Sequence, residues 1–373
     1  MSDGHRTFVV IGGGVLGLST ARRLAATGAR VTLLTEGPLA DGASGRSLSW
    51  LNSAAIRDAG YHALRMRGVD RYRDLLAEEG GAAGRWLVFG GGLTWRSPGQ
   101  EADLQAVLDH QRSVGYPVRR IGRDEVARLV PGVEPAAVPE AGALLNPDEG
   151  WVDLPSLAGL LARQVVAAGG EVRTGCGPVR VDVREGRATG AVTADGQRFA
   201  ADGVLLATGA AVPGALAELG VRIPERSPLA VLVRTEPVDT PLRAVLNVPG
   251  VSLRPAPDGG LAVDADWPTE HVRDTGSGHE VADDVVADLL DRAGAVLAGR
   301  PALTARRVHV GPKPVPGDGR PVLGELAAVP GLTVAFTHSG ATLALVVGEL
   351  LGDEMRTGNR SELLASFRPE RFS

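Results

Sequence analysis

Gly12, Gly14 and Gly17 are spaced as G-x-G-x-x-G, between an apolar run at residues 8–11 and a helix-like run at residues 15–27. The chemistry such a spacing serves is dinucleotide recognition. The first glycine permits a tight strand-to-helix turn. The second lets the backbone approach a pyrophosphate, and the third lets helix and strand pack closely. Val15 and Leu16 then open a helix whose free N–H groups and positive dipole end favour phosphate. A second apolar run, residues 31–34, ends near Glu36. An acid there, about 20 residues beyond the glycines, accepts hydrogen bonds from an adenosine ribose. The spacing alone is equally a glycine-rich turn; strand, helix, second strand and acid together point to the dinucleotide.

Other residues suited to chemistry are sparse. Lys313 is the sole lysine among 39 basic residues. A codon bias accounts for the arginines, and a place where arginine will not serve accounts for the survivor. His338 stands just before Ser339-Gly340 and a helical run. Cys176 is the only cysteine, which excludes an intramolecular disulfide and a four-thiolate zinc site within one chain. His271, His279 and Asp264 lie in a loop context and are assigned no metal. The net charge of −5, with 4% aromatic residues and no basic stripe, argues against nucleic acid as a partner. The apolar stretch after Arg6 is broken by glycines that have a better use, and no transmembrane-length run follows, so a cytoplasmic protein without membrane attachment is expected.

These residues need elements to position them. Residues 1–36 read as strand, helix, strand. Residues 57–79 form a helix with Leu64, Val69, Leu75 and Leu76 inward. A strand pair surrounds Gly90-Gly91-Gly92. Residues 154–169 form an amphipathic helix, followed by short strands and a buried strand ending at Ala207-Thr208-Gly209. Strand-like runs at 229–235 and 251–253 precede a hairpin signal, Asp258-Gly259-Gly260. The end of the chain repeats the opening logic, with a strand at 332–336, a turn, and a helix from 342 to about 355. The fold class is therefore α/β with an α+β second domain. A Rossmann-like nucleotide half takes residues 1–56, 150–225 and 305–373. A substrate half, on a mixed and largely antiparallel sheet, takes residues 57–149 and 226–304.

There is no second G-x-G-x-x-G, and the helix N-terminus at residues 340–343 would stabilise the negative N1–C2=O edge of a reduced flavin. Its plain alternative is a capped helix with Ser339 as N-cap. Nearly end to end, the chain resembles the glycine oxidase, sarcosine oxidase and D-amino-acid oxidase superfamily of FAD-dependent amine oxidases. The blocks that carry the resemblance are residues 10–17, Gly42-Ala43-Ser44-Gly45-Arg46-Ser47, Pro147-Asp148-Glu149-Gly150-Trp151-Val152-Asp153, Ala207-Thr208-Gly209-Ala210, residues 317–324, and His338-Ser339-Gly340-Ala341-Thr342-Leu343-Ala344. The resemblance implies FAD contacts at Gly12, Gly14, Val15, Leu16, Gly17 and Glu36. It implies others at Ala43, Ser44, Arg46, Ser47, Val179, Thr208, Gly209, Gly340, Ala341 and Thr342. With no cysteine near the last block, the FAD is expected to be non-covalent.

The resemblance also implies the reaction: hydride transfer from the α-carbon of an amine or amino acid to flavin N5, imine hydrolysis, and reduction of O2 to H2O2. Two departures bear on substrate. Relatives carry an arginine where this chain has Gly311-Pro312-Lys313-Pro314, and a lysine pairs with a carboxylate only as a point charge. Lys313 is expected to bind that carboxylate or to assist O2 reduction; its bland reading is a solvated loop lysine. The tyrosines, Tyr61, Tyr72 and Tyr116, all precede residue 120, whereas relatives often use tyrosines on the substrate strands. A secondary amine or N-substituted glycine is therefore expected. His338 is expected to tune the flavin or take the amine proton; its plain reading is a helix-start residue bonded to backbone. Arg254 either holds a carboxylate or is a surface arginine, and Trp50 either lines the substrate site or packs in the core. The alternatives are an amine dehydrogenase serving an electron carrier and a flavin-binding subunit without turnover. The sequence leaves oligomeric state open.

Overall fold

The structure is a computed structural model and describes residues 6–276 and 278–372. The chain forms two compact units, Met1–Gly45 with Leu154–Pro228 and Pro312–Ser373, and Arg46–Asp153 with Leu229–Gly311. The chain enters the second unit at Arg46 instead of after residue 56. Trp50–Leu51 pairs antiparallel with Gly150–Val152, which also pairs with Leu87–Val88. Residues 305–311 stay there too, because the strand Ala305–Pro312 forms an edge of that unit's main sheet.

The first unit is a six-stranded sheet in the order Val322–Glu325, Leu332–Phe336, Gly203–Leu206, Thr7–Ile11, Arg30–Leu34, Glu171–Arg173. All neighbours are parallel except the first pair. Phe8, Val10, Leu33, Val204, Leu205 and Phe336 are fully or almost fully buried, as expected of strands covered on both faces. The helices Val15–Ala26 and Gly340–Thr357 meet where Gly348 lies against Ser19; a Cβ on Gly348 would stand 2.4 Å from that of Ser19. Arg23 closes the contact with two 2.9 Å hydrogen bonds to Asp353. A three-stranded antiparallel sheet, Arg180–Arg184, Arg187–Val192 and Arg198–Ala200, adds Ala188 and Ala191 to the core.

The second unit has an eight-stranded mixed sheet. Its order is Ala305–Pro312, Leu229–Thr235, Leu261–Ala265, Val251–Pro255, Val245–Val248, Gly92–Thr94, Ala143–Asn146, Arg119–Ile121. The hairpin read from Asp258-Gly259-Gly260 is present, with Gly259 at φ 82° and Leu253 opposite Val263. The helix Asp283–Ala295 packs Val286, Leu289, Leu290 and Ala293 into this sheet's core. The helix Ala59–Glu79 is started by Asp58, whose carboxylate accepts the Tyr61 N–H at 3.0 Å, and stopped by Gly80 at φ 64°. Leu64, Val69 and Leu75 are buried as the sequence predicts, while Leu76 is half-buried.

Candidate functional site

In the first unit the glycines do three different things. Gly12 takes φ 121°, and a Cβ there would stand 2.4 Å from the Ala207 carbonyl oxygen. Gly17 would put its Cβ 2.1 Å from the Gly12 oxygen. Both are fixed by the protein's own backbone. Gly14 is different, because its Cβ would approach only Ser44 Oγ, at 3.2 Å. Gly14 is also the N-cap of the helix Val15–Ala26, with no side-chain cap. The Val15 N–H donates to Ser44 Oγ at 3.2 Å, so Ala43–Gly45 folds over the helix start.

Glu36 lies just beyond the strand Arg30–Leu34, with its side chain exposed and its carbonyl accepting the Gly177 N–H at 3.2 Å. A cleft of about 550 Å³ is lined by Arg173, Cys176, Thr193, Asp195, Gln197 and Phe199. Val179, half-buried, follows the Cys176-Gly177 stretch. Thr208 Oγ1 is buried with no hydrogen-bond partner among the described residues, and Gly209 turns the chain at φ 62°. At the C-terminal helix Ser339 occupies the N-cap, but its hydroxyl makes no capping bond. Gly340 has nothing within 4 Å of its Cβ position. Thr342 is buried, Ala341 half-buried and His338 exposed. Lys313 is half-buried, and its backbone N–H donates to the Pro228 carbonyl at 2.7 Å.

The second unit holds a buried polar cluster that sequence reasoning missed. Glu149 is 1% exposed. Its Oε2 accepts the Trp50 indole N–H at 2.8 Å, and its Oε1 pairs with the Tyr116 hydroxyl at 2.5 Å. Tyr116 in turn accepts the Ser53 N–H at 2.9 Å. Burial pushes the Glu149 carboxyl up to about 8, against the opposing pull of Tyr116, Trp50 and Arg65. Glu149 is then largely neutral at pH 7. Gly92 makes room for it, since a Cβ there would stand 2.0 Å from Oε2. Arg65, also buried, donates from Nε to the Asn52 carbonyl at 2.7 Å. Ser53 Oγ and His62 Nδ1 lie 2.9 Å apart. A sequence signal existed for part of this cluster: Tyr61 and Arg65, four residues apart, share one face of the helix Ala59–Glu79.

Trp50 therefore does more than fill core, because its indole is tied to a buried acid. Arg46 and Ser47 belong to this unit as well. The Arg46 guanidinium lies over Gly311, where a Cβ would stand 2.6 Å from its Cζ. Ser47 Oγ accepts the Ser49 N–H at 3.0 Å, supporting Ser49 at φ 57°. Arg254 departs from expectation, being neither a surface arginine nor open to a substrate carboxylate. It is 1% exposed, and its guanidinium donates to the Leu48 and Pro255 carbonyls. It also lies 3.8 Å from Asp153 and stacks 5.0 Å over the Trp151 ring.

The residues present fit an FAD. The glycines keep a backbone groove open, Gly14 brings no side-chain cap to the helix behind it, and Thr208 Oγ1 is a buried group in need of a partner. Fold and site together define a flavin-dependent α/β oxidoreductase. The sequence matches the DAO family of FAD-dependent oxidoreductases over residues 7–354, and the chain belongs to that family. It is 27% identical over 382 residues to YurR, an uncharacterized oxidoreductase of Bacillus subtilis, with 96% of each chain covered. It is 28% identical over 385 residues to the glycine oxidase of Geobacillus kaustophilus, covering 97% of this chain and 96% of that one. The crystal structure of iminodiacetate oxidase from Chelativorans sp. BNC1 matches the fold with TM-score 0.80 at 24% identity, covering 97% of this chain and 98% of that one. The protein is thus an FAD-dependent oxidoreductase of the amine and amino-acid oxidising family. No helix among the described residues is long and apolar enough to cross a membrane.

Proposed function

We propose that the protein is an oxidase of a secondary amine or N-substituted glycine, using non-covalent FAD and releasing H2O2. The observation that carries this reading is the state of the three tyrosines. Tyr61, Tyr72 and Tyr116 are 4%, 0% and 5% exposed, and Tyr116 is engaged with Glu149 and Ser53. No phenol is left to grip a small amino acid, which favours a substrate held by its carboxylate and an apolar part. Likeness to a glycine oxidase supports the same chemical class.

The chemistry FAD supplies when bound is acceptance of a hydride from the α-carbon and reoxidation by O2. The chain's own residues do the rest. The backbone at Gly12 to Leu16, with Ser44, would hold the pyrophosphate, Glu36 the ribose, and Thr208 and Gly209 would supply a further contact. The helix N-terminus at Gly340, Ala341 and Thr342 would oppose negative charge on the bound flavin. Lys313 would add a positive charge, either to a substrate carboxylate or in support of O2 reduction. His338, being exposed, is placed to exchange a proton with solvent. Trp50, fixed by Glu149, offers an apolar ring to the substrate.

The test is H2O2 release with glycine, sarcosine, D-amino acids and N-alkylglycines. Release with N-alkylglycines is expected; anaerobic bleaching of the flavin without peroxide in air would instead mean a dehydrogenase. Lys313→Met should lower turnover at least tenfold, and unchanged steady-state kinetics would remove Lys313 from the site. Acid precipitation should leave a colourless pellet.

A further inference from the structure

We infer that Arg57, beside Arg65 and Tyr61, is a binding site for the substrate's carboxylate. The inference rests on the amine-oxidase reading and supplies the cation that Arg254 does not. The guanidinium of Arg57 lies 5.0 Å from the centroid of the Tyr61 ring, and that of Arg65 lies 5.8 Å from the same centroid. Two cations are thus gathered on one buried phenol, where the charge of Arg65 lowers the hold of Arg57 on its proton and an anion would relieve their repulsion. Arg65 is anchored on Asn52, through its carbonyl at 2.7 Å and its Oδ1 at 3.2 Å. Arg57 keeps donor capacity: its Nε is buried with no hydrogen-bond partner among the described residues. Such a group is costly to leave unpaired.

The main chain around Arg57 is held from several sides. Its N–H donates to His110 Nε2 at 3.3 Å, the Ala54 carbonyl accepts from Gln111 at 2.6 Å, and the Ser53 N–H donates to Tyr116 at 2.9 Å. Residues 52–57 are therefore a fixed ledge, which suits recognition. Burial and the charge of Arg65 push Arg57 down to about 10, still cationic at neutral pH. Asp58, the acid that offsets it, is already used as the cap of the helix Ala59–Glu79. A guanidinium with spare donors and a stacked ring below it suits a planar carboxylate held by paired N–H groups.

The experiment compares the FAD-loaded wild type with Arg57→Met and Arg57→Lys. Binding of propionate, which the flavin does not oxidise, is followed by calorimetry, and folding by thermal melting. Arg57→Met should weaken propionate about a hundredfold, and Arg57→Lys less, because lysine keeps the charge without the fork. KM for an N-alkylglycine should rise by a similar factor, while KM for the matching amine without a carboxylate stays put. Equal propionate affinity in wild type and a folded Arg57→Met overturns the inference, as does an equal rise in KM for both amines. If no amine is oxidised at all, the proposed function fails, but the propionate measurement still decides this site.

Discussion

The two units prepare for small molecules with opposite materials. The first uses backbone. Gly12 and Gly17 are required because other main-chain atoms occupy the space of a side chain, and Gly14 brings no side chain of its own to a helix start. The second uses buried ionisable side chains, with Glu149 bonded to Tyr116 and Trp50, Arg65 bonded to Asn52, and Arg57 stacked on Tyr61. Backbone recognition tolerates almost no substitution but is indifferent to pH. Charge recognition tolerates isosteric change and responds to pH. That difference can be broken or sharpened by substitution.

The largest effect is expected in the first unit. Gly17→Ala would force a Cβ to 2.1 Å from the Gly12 carbonyl oxygen, and that atom belongs to the turn itself. Overpacking against backbone should cost about 3 kcal/mol or more and leave a protein with little bound flavin. Absorbance of the purified protein and its melting temperature measure both. Gly214→Ala, in the helix Val212–Ala217, is the control, since its Cβ would meet open space. A fully yellow, undisturbed Gly17→Ala protein would mean that the cradle is not held by backbone contact.

Glu149 gives the next effect. Glu149→Leu strands the Trp50 N–H and the Tyr116 hydroxyl, at about 1–3 kcal/mol for each buried unpaired group. Glu149→Gln keeps one oxygen acceptor, for either the Trp50 N–H or the Tyr116 hydroxyl, and like the protonated acid it carries no charge. The sign with pH follows from the raised value. The unfolded carboxyl titrates near 4.5 and the folded one near 8, so the native state binds the extra proton in between. Stability from this group is therefore whole below about pH 4.5 and declines as pH rises towards 8. Glu149→Gln should lose less melting temperature than wild type between about pH 5 and pH 9, because it has no proton to give up. Parallel melting curves across that range would show that Glu149 is ionised in the fold.

The same contrast explains what the sequence made legible. The glycine cradle is a local steric pattern, so spacing within six residues reveals it, and the strand Leu332–Phe336 and the hairpin at Gly259 are legible for the same reason. The Glu149 cluster is not local. Asp148-Glu149 reads as a solvated turn, and its partners Tyr116 and Trp50 lie 33 and 99 residues away. Arg254 misled because a strand arginine beside a hairpin looks available, whereas the carbonyls of Leu48 and Pro255 occupy it. The unit boundary moved to Arg46 because a two-residue strand, Trp50–Leu51, is too short to leave a periodic signal.

The smallest effect separates fold from recognition within the second unit. Asp58 caps the helix Ala59–Glu79 by accepting the Tyr61 N–H, and it also offsets the charge of Arg57. Asp58→Ala should lower stability by about 1 kcal/mol, the ordinary worth of an N-cap. Asp58→Asn keeps an acceptor for the cap and removes only the charge, so its melting temperature should stay near that of wild type. If charge in this unit serves recognition, both variants should hold propionate at least as tightly as wild type, because each removes an anion that competes for Arg57. Weaker propionate binding in Asp58→Asn would instead make Asp58 the group that positions Arg57, and the second unit would then resemble the first in depending on internal contacts more than on free charge.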